Sequence, residues 1–415
     1  MSRVLRDTLD ESNFVVEGTG VRVRDQGGRW YLDARSALWN VTLGYDHPKL
    51  LAALHAQADQ LPFGTLLSYG RPPAVSVEFA KALAARLPEN LRHIRLGSTG
   101  SQMTEGAMLL SRFFRHATGE PERTAVISFE GSYHGMGPGA TTLSGVLRGA
   151  HSWCGPALPD VHHVSPYGDW TGAVTKRVEE LGGERVTAVI VEPLMGSVGV
   201  IPDAGDLVRL AAYLAAQGIH LIADEVTTGY GRTGHLSRVL QLGVVPDILV
   251  LSKGITAGYV PGAAIAVNDA IFDPLFELES GEAFLHGSTT DGHPLAAAVG
   301  LAVLEVLYED GLMATVEAKG KVLQEALEQV HKENVPGGEV SGVGLMQRFR
   351  LHDADGQPWS VEKIDRLHAA CEEAGLLTSI GDACLWFLPP LVITERECEE
   401  IAERMVEAFR ALRGR

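Results

Sequence analysis

The sequence predicts an α/β fold with a large domain, built on a mostly parallel sheet, and a smaller α+β domain formed by both termini. Three observations predict this fold. A chain of 415 residues is longer than one simple core usually supports. Between about residues 75 and 270, helical stretches alternate with short apolar runs, as in sheets whose strands are joined by crossover helices. Near the N-terminus, apolar and polar residues alternate around Gly27 and Gly28, which predicts a β-hairpin.

The predicted elements follow this order along the chain. The hairpin belongs to the smaller domain, and the helix AVSVEFAKALAARL opens the alternating region. The strands are expected at the apolar runs HIRLGS, TAVISFE, TAVIVEP, HLIADEV, DILVLSK and GAAIAV. After residue 293 a long helix leads into the C-terminal part. We therefore assign residues 1–45 and 301–415 to the small domain and residues 46–300 to the large one.

Composition and charge narrow the class of function. Hydrophobic residues make up 45% of the chain and charged residues 21%, as in ordinary globular proteins. The net charge of -17 argues against nucleic acid as a partner, because such a partner requires an excess of Lys and Arg. The four cysteines lack the spacing of a metal site or a disulfide framework, so we expect free thiols. We see no signal sequence or membrane span and expect a cytoplasmic protein.

Two charged positions stand where ligands gather in open α/β sheets, at the carboxyl ends of strands. Lys253 directly follows the apolar run DILVLS, and its amine could carry catalysis; a lysine extending to the rim of the sheet is the alternative. Asp224 and Glu225 end another apolar run. An ionised Asp224 at this depth implies a cationic partner such as a protonated pyridine nitrogen, whereas capping of the next helix is the structural alternative.

Two glycine-rich turns complete the chemical pattern. Gly97, Gly100 and Ser101 lie between a strand and an amphipathic helix, where free amides can bind an anion. This segment has neither a dinucleotide fingerprint nor the lysine of a P-loop, so a nucleotide is the weaker interpretation. Tyr133 and His134 follow the run TAVISFE and could place a ring on a flat ligand, although such a pair is more often plain packing.

Together these motifs resemble the class III aminotransferases of fold type I, which depend on pyridoxal 5′-phosphate (PLP), over roughly residues 15 to 400. Within that family the chain resembles the diaminopelargonate and omega-aminotransferase group. The resemblance rests on the segments ADEVTTGYGRTG, SKGITAGYVPGAAIAV, HGSTTDGHPLAAA and LWFLPPLVIT. It implies a seven-stranded type of sheet in the large, PLP-binding domain.

The resemblance also implies roles for individual residues. Lys253 holds the cofactor as a Schiff base, and Asp224 pairs with the pyridine nitrogen, so these two are the catalytic residues. The remaining cofactor contacts are Gly100 and Ser101 at the phosphate, Tyr133 and Val226 on the two ring faces, Glu192 near the site, and Ser288 and Thr289 reaching the phosphate from the neighbouring subunit. The protein is therefore expected to be a homodimer with shared active sites.

Several positions depart from the family pattern on the substrate side. Trp386 stands where many members have an arginine that pairs with an α-carboxylate, and Ser379 occupies the corresponding position of the diaminopelargonate branch. We therefore expect a substrate that is bulky or lacks that carboxylate, in contact with Trp39, Tyr133, Gly287 and Trp386. Thr227 replaces a glutamine near the phenolic oxygen of the cofactor, and Thr290 replaces an aromatic residue.

The expected function is amino transfer from an amine donor to a carbonyl acceptor in a ping-pong cycle, within biosynthesis. A decarboxylating transaminase and a non-catalytic PLP-binding scaffold are the alternatives. We expect no metal, because the histidines His134, His162 and His163 lack the spacing of a metal site.

Overall fold

The computed structural model describes residues 11–67, 71–150, 152–154, 157–278, 283–335, 337–353, 355–381 and 383–413. The chain forms two compact units. The first unit comprises Met1–Leu51, Arg232–Gly234 and Asp310–Arg415, and the second comprises Ala52–Gly231 and His235–Glu309. The domain boundaries drawn from the sequence stay a prediction.

The N-terminal part of the first unit is an antiparallel meander. Its strands are β1 (Val15–Thr19), β2 (Arg22–Asp25) and β3 (Trp30–Asp33). The predicted hairpin is confirmed: Arg24 pairs with Trp30 across the turn, and Gly28 adopts a φ of 88°, a backbone conformation that a glycine reaches without strain. The strand β1 has exposed apolar residues and was not distinguished in the sequence.

The second unit is built on a seven-stranded sheet. The strands are β4 (His93–Gly97), β5 (Ala125–Phe129), β6 (Val161–Val164), β7 (Val186–Val191), β8 (His220–Asp224), β9 (Ile248–Leu251) and β10 (Ala263–Val267). Their order is β4-β10-β9-β8-β7-β5-β6. Only β10 is antiparallel to its neighbours, so the prediction of a mostly parallel sheet is confirmed.

Each of the six predicted apolar runs forms a strand of this sheet, and two features differ from expectation. The edge strand β6 was not predicted, because the pair His162 and His163 interrupts its short apolar run. The run GAAIAV forms β10, which points the opposite way, so its carboxyl end does not share an edge with those of the parallel strands. Runs of this kind reveal strands but not their direction.

Helices cover the sheet of the second unit. They are Ala74–Ala84, Gly100–Ala117, Pro138–Leu143, Trp170–Leu181, Ala204–Ala216, Arg238–Gln241, Asp269–Phe276 and Pro294–Tyr308, and Pro48–Gln60 contains the boundary between the units. Val126, Ile190, Ile222 and Val250 are 0% exposed in the core. Each buried side chain of this size contributes roughly 1.5–3 kcal/mol relative to exposure. The sheet is therefore a rigid support for whatever its edge carries.

The C-terminal part of the first unit combines three helices with short strands. The helices are Leu312–Asn334, Val361–Glu373 and Glu395–Arg413, and the strands are β11 (Glu339–Val343), β12 (Met346–Arg350), β13 (Leu376–Leu377), β14 (Ser379–Gly381) and β15 (Cys384–Phe387). Because β13 pairs in parallel with β3, both ends of the chain build this α+β unit, as predicted.

Two further expectations concern cysteines and membranes. Cys371, Cys384 and Cys398 are buried free thiols, as expected, while the side chain of Cys154 lies outside the described residues. Across the described ranges, no helix is both long enough and apolar enough to cross a bilayer.

Candidate active site

Four parallel strands of the second unit end at one edge of the sheet, and polar residues follow each of them. Tyr133 and His134 come after β5, Glu192 comes directly after β7, Asp224 is the last residue of β8, and Lys253 follows β9. Parallel strands place their carboxyl ends together, so these side chains converge.

Lys253 begins a short 3-10 helix, Lys253–Thr256, in an unusual backbone conformation. Its φ is 44°, in the left-handed region that costs a residue with a Cβ roughly 1–2 kcal/mol. Its Nζ donates a hydrogen bond to Thr227 Oγ1 at 2.7 Å. The turn is closed by Ser252 Oγ, which donates to the carbonyl of Gly262 at 2.9 Å. The surrounding fold thus holds a strained lysine at the edge of the sheet.

Asp224 is 5% exposed and is bound on both carboxylate oxygens. Its Oδ1 accepts a hydrogen bond from the amide of Val226 at 3.1 Å, and its Oδ2 lies 2.7 Å from His134 Nδ1. The side chain of His134 is 0% exposed, and its Nε2 has no hydrogen-bond partner among the described residues. A backbone amide and an imidazole thus fix the orientation of this buried carboxylate.

Sequence reasoning missed this pairing. The sequence pattern favours plain packing for His134, because a histidine beside a tyrosine has no chemical meaning by itself. The signal that could have found it is the position of His134 in a glycine-rich turn after β5, two strands away from β8 in the sheet.

Glu192 is a third buried polar residue of the site, with 8% of its surface exposed. Its Oε1 accepts a hydrogen bond from the amide of Tyr133 at 2.8 Å. Burial raises the pKa of Glu192 to about 7; the negative charge of Asp224 adds to the increase, while the positive charges of His134 and Lys253 oppose it. The site therefore contains a carboxyl group that titrates near neutral pH.

Tyr133 presents a partly exposed ring, with 37% of its surface accessible. Burial, followed by the charges of Asp224 and Glu192, raises the pKa of its hydroxyl, so the phenol stays protonated at neutral pH. Gly135 holds this turn close to the helix Gly100–Ala117: a Cβ at Gly135 would lie 2.3 Å from Ser101 Oγ. The ring and the start of that helix are therefore kept together by backbone contact.

The start of the helix Gly100–Ala117 forms the anion-binding side of the site. Thr99 caps the helix by accepting a hydrogen bond from the amide of Gln102 at 3.2 Å. The amides of Gly100 and Ser101 lie in the first turn, where no intrahelical acceptor exists. A Cβ at Gly100 would lie 3.1 Å from a methyl of Val226, so the glycine lets the turn after β8 approach the helix start.

Glu225, next to Asp224 in the sequence, has a structural role. It is 0% exposed, and its carboxylate accepts hydrogen bonds from Ser237 Oγ and the amide of Val239, each at 2.7 Å, and from Thr228. These bonds hold the turn after β8 in shape. Of the two adjacent acids, only Asp224 thus faces the site.

The segment containing Gly287, Ser288 and Thr289 lies beside the same helix start within one chain. Ser288 Oγ is 3.5 Å from Ser98 Oγ and 3.1 Å from Asp291 Oδ1. Gly287 lies against Asp291, and Thr289 is exposed. The structure thus places Ser288 beside Ser98, just before the helix start of its own chain, and leaves Thr289 exposed.

The first unit contains the tryptophans predicted at the substrate. Trp39 Nε1 donates to Ser379 Oγ at 2.9 Å, and its ring centroid is 6.2 Å from that of Trp386. Trp386 is 0% exposed, whereas Trp39 is partly exposed. Asp33 accepts hydrogen bonds from the amides of Arg35 and Ala37, which stabilises the tight segment before Trp39.

The histidines considered for metal binding have other partners. His162 Nε2 lies 3.0 Å from Asp160 Oδ1, and His163 Nε2 lies 3.1 Å from the carbonyl of Leu143. Within the part of the chain that the structure describes, one group has the compactness of a metal site, namely His93, Asp269 and Asp273. Arg92 Nε is 3.3 Å from Asp269 Oδ1, so one of the two carboxylates of this group already has a cationic partner.

Comparison with known proteins identifies the family. The family model for aminotransferase class III matches residues 6–409. The chain belongs to the class III aminotransferases. A putrescine–pyruvate aminotransferase of Pseudomonas aeruginosa is 30% identical over 94% of this chain and 89% of its own length. An adenosylmethionine-8-amino-7-oxononanoate aminotransferase of Geobacter sulfurreducens is 32% identical, covering 96% and 92%.

A solved structure gives the same result for the fold. An amine transaminase from an uncultivated Pseudomonas species, determined in its PLP-bound form, aligns with a TM-score of 0.91 and 30% identity over 99% of this chain and 96% of that one. The predicted PLP-dependent transferase fold of type I is confirmed. This aminotransferase uses PLP and transfers an amino group between an amine donor and a carbonyl acceptor. The decarboxylating and non-catalytic alternatives are not favoured.

The residues at the sheet edge fit that cofactor. PLP requires an amine for its aldehyde, an anion for its pyridine nitrogen, a flat apolar cleft and donors for its phosphate. Lys253 can supply the amine and Asp224 the anion, the ring of Tyr133 and the methyls of Val226 can form the cleft, and the helix start at Gly100 offers donors. The close approach that Gly100 permits leaves no bulky side chain between Val226 and the helix start.

Proposed function

We propose that this aminotransferase carries out amino transfer at the sheet edge of the second unit, with Lys253 as the reacting amine and Asp224 as the counter-ion of the cofactor nitrogen. The convergence of Lys253, Asp224, His134 and Glu192 at the ends of parallel strands carries the proposal. When bound, PLP supplies an aldehyde that reacts with amines and a ring that accepts electrons from the substrate carbon.

The chain's own residues then have distinct tasks. Lys253 Nζ holds the cofactor, leaves when a substrate amine arrives, and moves a proton between carbon atoms as a general base and acid. Asp224 maintains the charge of the pyridine nitrogen, and His134 orients Asp224. Glu192 fixes the Tyr133 turn through its bond to the amide of Tyr133.

The remaining proposed contacts bind rather than react. Gly100 and Ser101 provide amides, and Ser101 a hydroxyl, to the phosphate. Tyr133 stacks on one face of the ring and Val226 packs on the other. These assignments are supported by the close packing of Gly100 on Val226 and of Gly135 on Ser101.

We propose that one substrate is bulky or lacks an α-carboxylate. Support comes from the first unit, where the position of the usual arginine is taken by Trp386 and the alternative position by Ser379, both engaged with Trp39. Trp39 is the proposed apolar contact of the first unit, and Tyr133 and Gly287 are the proposed substrate contacts of the second. Because Trp386 is 0% exposed, we propose that it acts by supporting the ring of Trp39.

The experiment that tests this function is an absorbance titration of purified protein with PLP, followed by amines with and without a carboxylate. Wild type should develop the visible band of lysine-bound cofactor, lose it with a donor amine, and recover it with a carbonyl acceptor. Lys253→Ala should show no such band. An equal band in Lys253→Ala would overturn the role of Lys253, and a response to α-amino acids alone would overturn the substrate proposal.

We also propose a homodimer in which Ser288 and Thr289 of one subunit reach the phosphate held by the other. Leu285 and Phe276, 90% and 78% exposed, lie near this segment in the sequence and suit an interface between copies. Mixing Lys253→Ala with Thr289→Ala subunits tests it. If Thr289 acts across the interface, mixed dimers contain one intact site and regain activity at limiting PLP; if it acts within its own chain, they do not.

We place the enzyme in the cytoplasm and in a biosynthetic role. The three buried free thiols Cys371, Cys384 and Cys398 support a reducing compartment. The excess of acidic residues in the sequence agrees with a small-molecule substrate rather than nucleic acid.

A further inference from the structure

Thr227 makes the hydrogen bond that fixes the amine of Lys253, and the family resemblance assigns no such contact to this position. The distance from Lys253 Nζ to Thr227 Oγ1 is 2.7 Å. The two residues lie on turns that follow the neighbouring parallel strands β8 and β9. The contact therefore links two adjacent positions of the site through side chains alone.

The hydroxyl of Thr227 is held in place by the turn around it. The amide of Val226 donates to Asp224 Oδ1 at 3.1 Å, and the amide of Gly229 donates to the carbonyl of Glu225 at 3.0 Å. Both bonds restrict the backbone on either side of Thr227. A β-branched side chain also has few χ1 rotamers, so the hydroxyl points in a limited set of directions.

The side chain of Lys253, in contrast to that of Thr227, is long and flexible. A lysine loses much rotamer freedom when its amine is confined, and a fixed acceptor offsets that loss. When Nζ donates a hydrogen to Thr227, the lone pair of a neutral amine is not used in that bond. That lone pair is the part of the amine that must take the substrate proton, which the resulting ammonium then returns to a second carbon, so the lysine ends as it began.

We propose that Thr227 is a positioning residue that holds the amine of Lys253 whenever that amine is not bonded to the cofactor. Only the catalytic consequence of this hydrogen bond rests on the proposed function. The contact itself belongs to the cofactor-free protein and can be measured there.

The surroundings of Lys253 define what the test must hold constant. Glu192 interacts with the charge of Lys253 and, in turn, with Asp224, His134 and Tyr133. The helix Pro294–Tyr308 packs against the segment Lys253–Thr256. The titratable residue at the start of this helix is His293, which caps it. All of these groups remain unchanged in variants of Thr227, so their contributions cancel.

The experiment compares Thr227→Val, which has nearly the same shape but no hydroxyl, with Thr227→Ser, which keeps the hydroxyl. The first readout uses cofactor-free protein: the pH dependence of labelling of Lys253 by an amine-reactive reagent, followed by peptide mass spectrometry. Removal of the acceptor disfavours the ammonium form, so the pKa of Lys253 should fall by about one unit in Thr227→Val. Thr227→Ser should stay close to wild type.

The second readout is the pH profile of the first half-reaction with a donor amine in PLP-loaded enzyme. Thr227→Val should slow this step about 10-fold, with the profile shifted in the direction of the labelling result, and Thr227→Ser should restore both. An unchanged labelling pKa in Thr227→Val, or a serine variant that behaves like valine, overturns the proposal. Thr227→Ala replaces the valine variant if that variant unfolds early, with melting temperature as the check.

The two proposals fail in different ways. If Lys253 does not bind PLP at all, wild type lacks the visible band, yet the labelling comparison still decides the role of Thr227. If the band forms normally while Thr227→Val labels as wild type does, the positioning role is wrong and the proposed function stands.

Discussion

The two units differ in the side chains that occupy the proposed cofactor and substrate positions. In the second unit, buried charges sit close together at the sheet edge: Asp224 is 5% exposed and pairs with a fully buried imidazole, and Glu192 titrates near neutral pH. In the first unit, the residues assigned to the substrate are the tryptophans Trp39 and Trp386, whose ring centroids lie 6.2 Å apart. The second unit thus has the groups that a charged cofactor needs, while the first has groups suited to an uncharged ligand. The departures from the family pattern fall mainly on the side of the substrate.

The largest expected effect is that of Asp224→Asn, which removes a buried charge from the sheet edge of the second unit. The amide keeps the size of the side chain but loses the charge that we propose holds the pyridine nitrogen protonated. We expect amino transfer to fall at least about 100-fold. Steady-state rates at saturating PLP measure it. Activity within a factor of three of wild type, with normal folding by circular dichroism, would show that the charge of Asp224 is not needed.

A smaller effect is expected from Trp39→Ala, which tests the proposed apolar contact of the first unit with the substrate. Loss of an aromatic contact should lower kcat/KM about 10- to 100-fold for a donor with a large apolar group, and much less for a small amine. The control is Trp153→Ala, because Trp153 is 81% exposed and far from Trp39 in the sequence. Equal losses for large and small amines would remove Trp39 from substrate selection.

The smallest expected effect is that of Glu192→Gln on the way in which the free energy of unfolding depends on pH. The pKa of Glu192 in the folded chain, about 7, exceeds its ordinary value of 4.5. Between these values the folded state retains a proton that the unfolded state has released, so Glu192 makes the protein less stable as pH rises through this window.

Urea unfolding at pH values from 4.5 to 8 should therefore show a flatter dependence in Glu192→Gln than in wild type. Glu179→Gln is the matched control, since Glu179 is exposed on a helix of the same unit. If both variants follow the wild-type curve, Glu192 does not titrate near neutral pH.

Some of this architecture follows from sequence pattern, and some depends on contacts that no pattern encodes. The apolar runs ending at Asp224 and Lys253 predict strands because a buried parallel strand must be apolar throughout. The direction of β10 and the existence of β6 depend on pairing with distant segments, which the runs do not specify.

The site shows the same division. Lys253 and Asp224 could be found because a charge at the end of an apolar strand is unusual. The bond between His134 and Asp224, and that between Thr227 and Lys253, join residues 90 and 26 positions apart. Each partner is unremarkable in its own segment, so only the folded chain reveals the pair.

The left-handed backbone at Lys253 has a consequence for engineering. Efforts to stabilise an enzyme often replace strained residues, and a glycine here would remove the conformational cost. It would also remove the amine, so no substitution at this position can improve thermal stability and keep turnover. Alanine has a Cβ and therefore keeps the same backbone strain as lysine. We expect Lys253→Ala to keep the backbone of the wild type and to lack only the amine-bearing side chain. Small added amines could enter the space that this side chain leaves and partly replace the missing group, a form of chemical rescue.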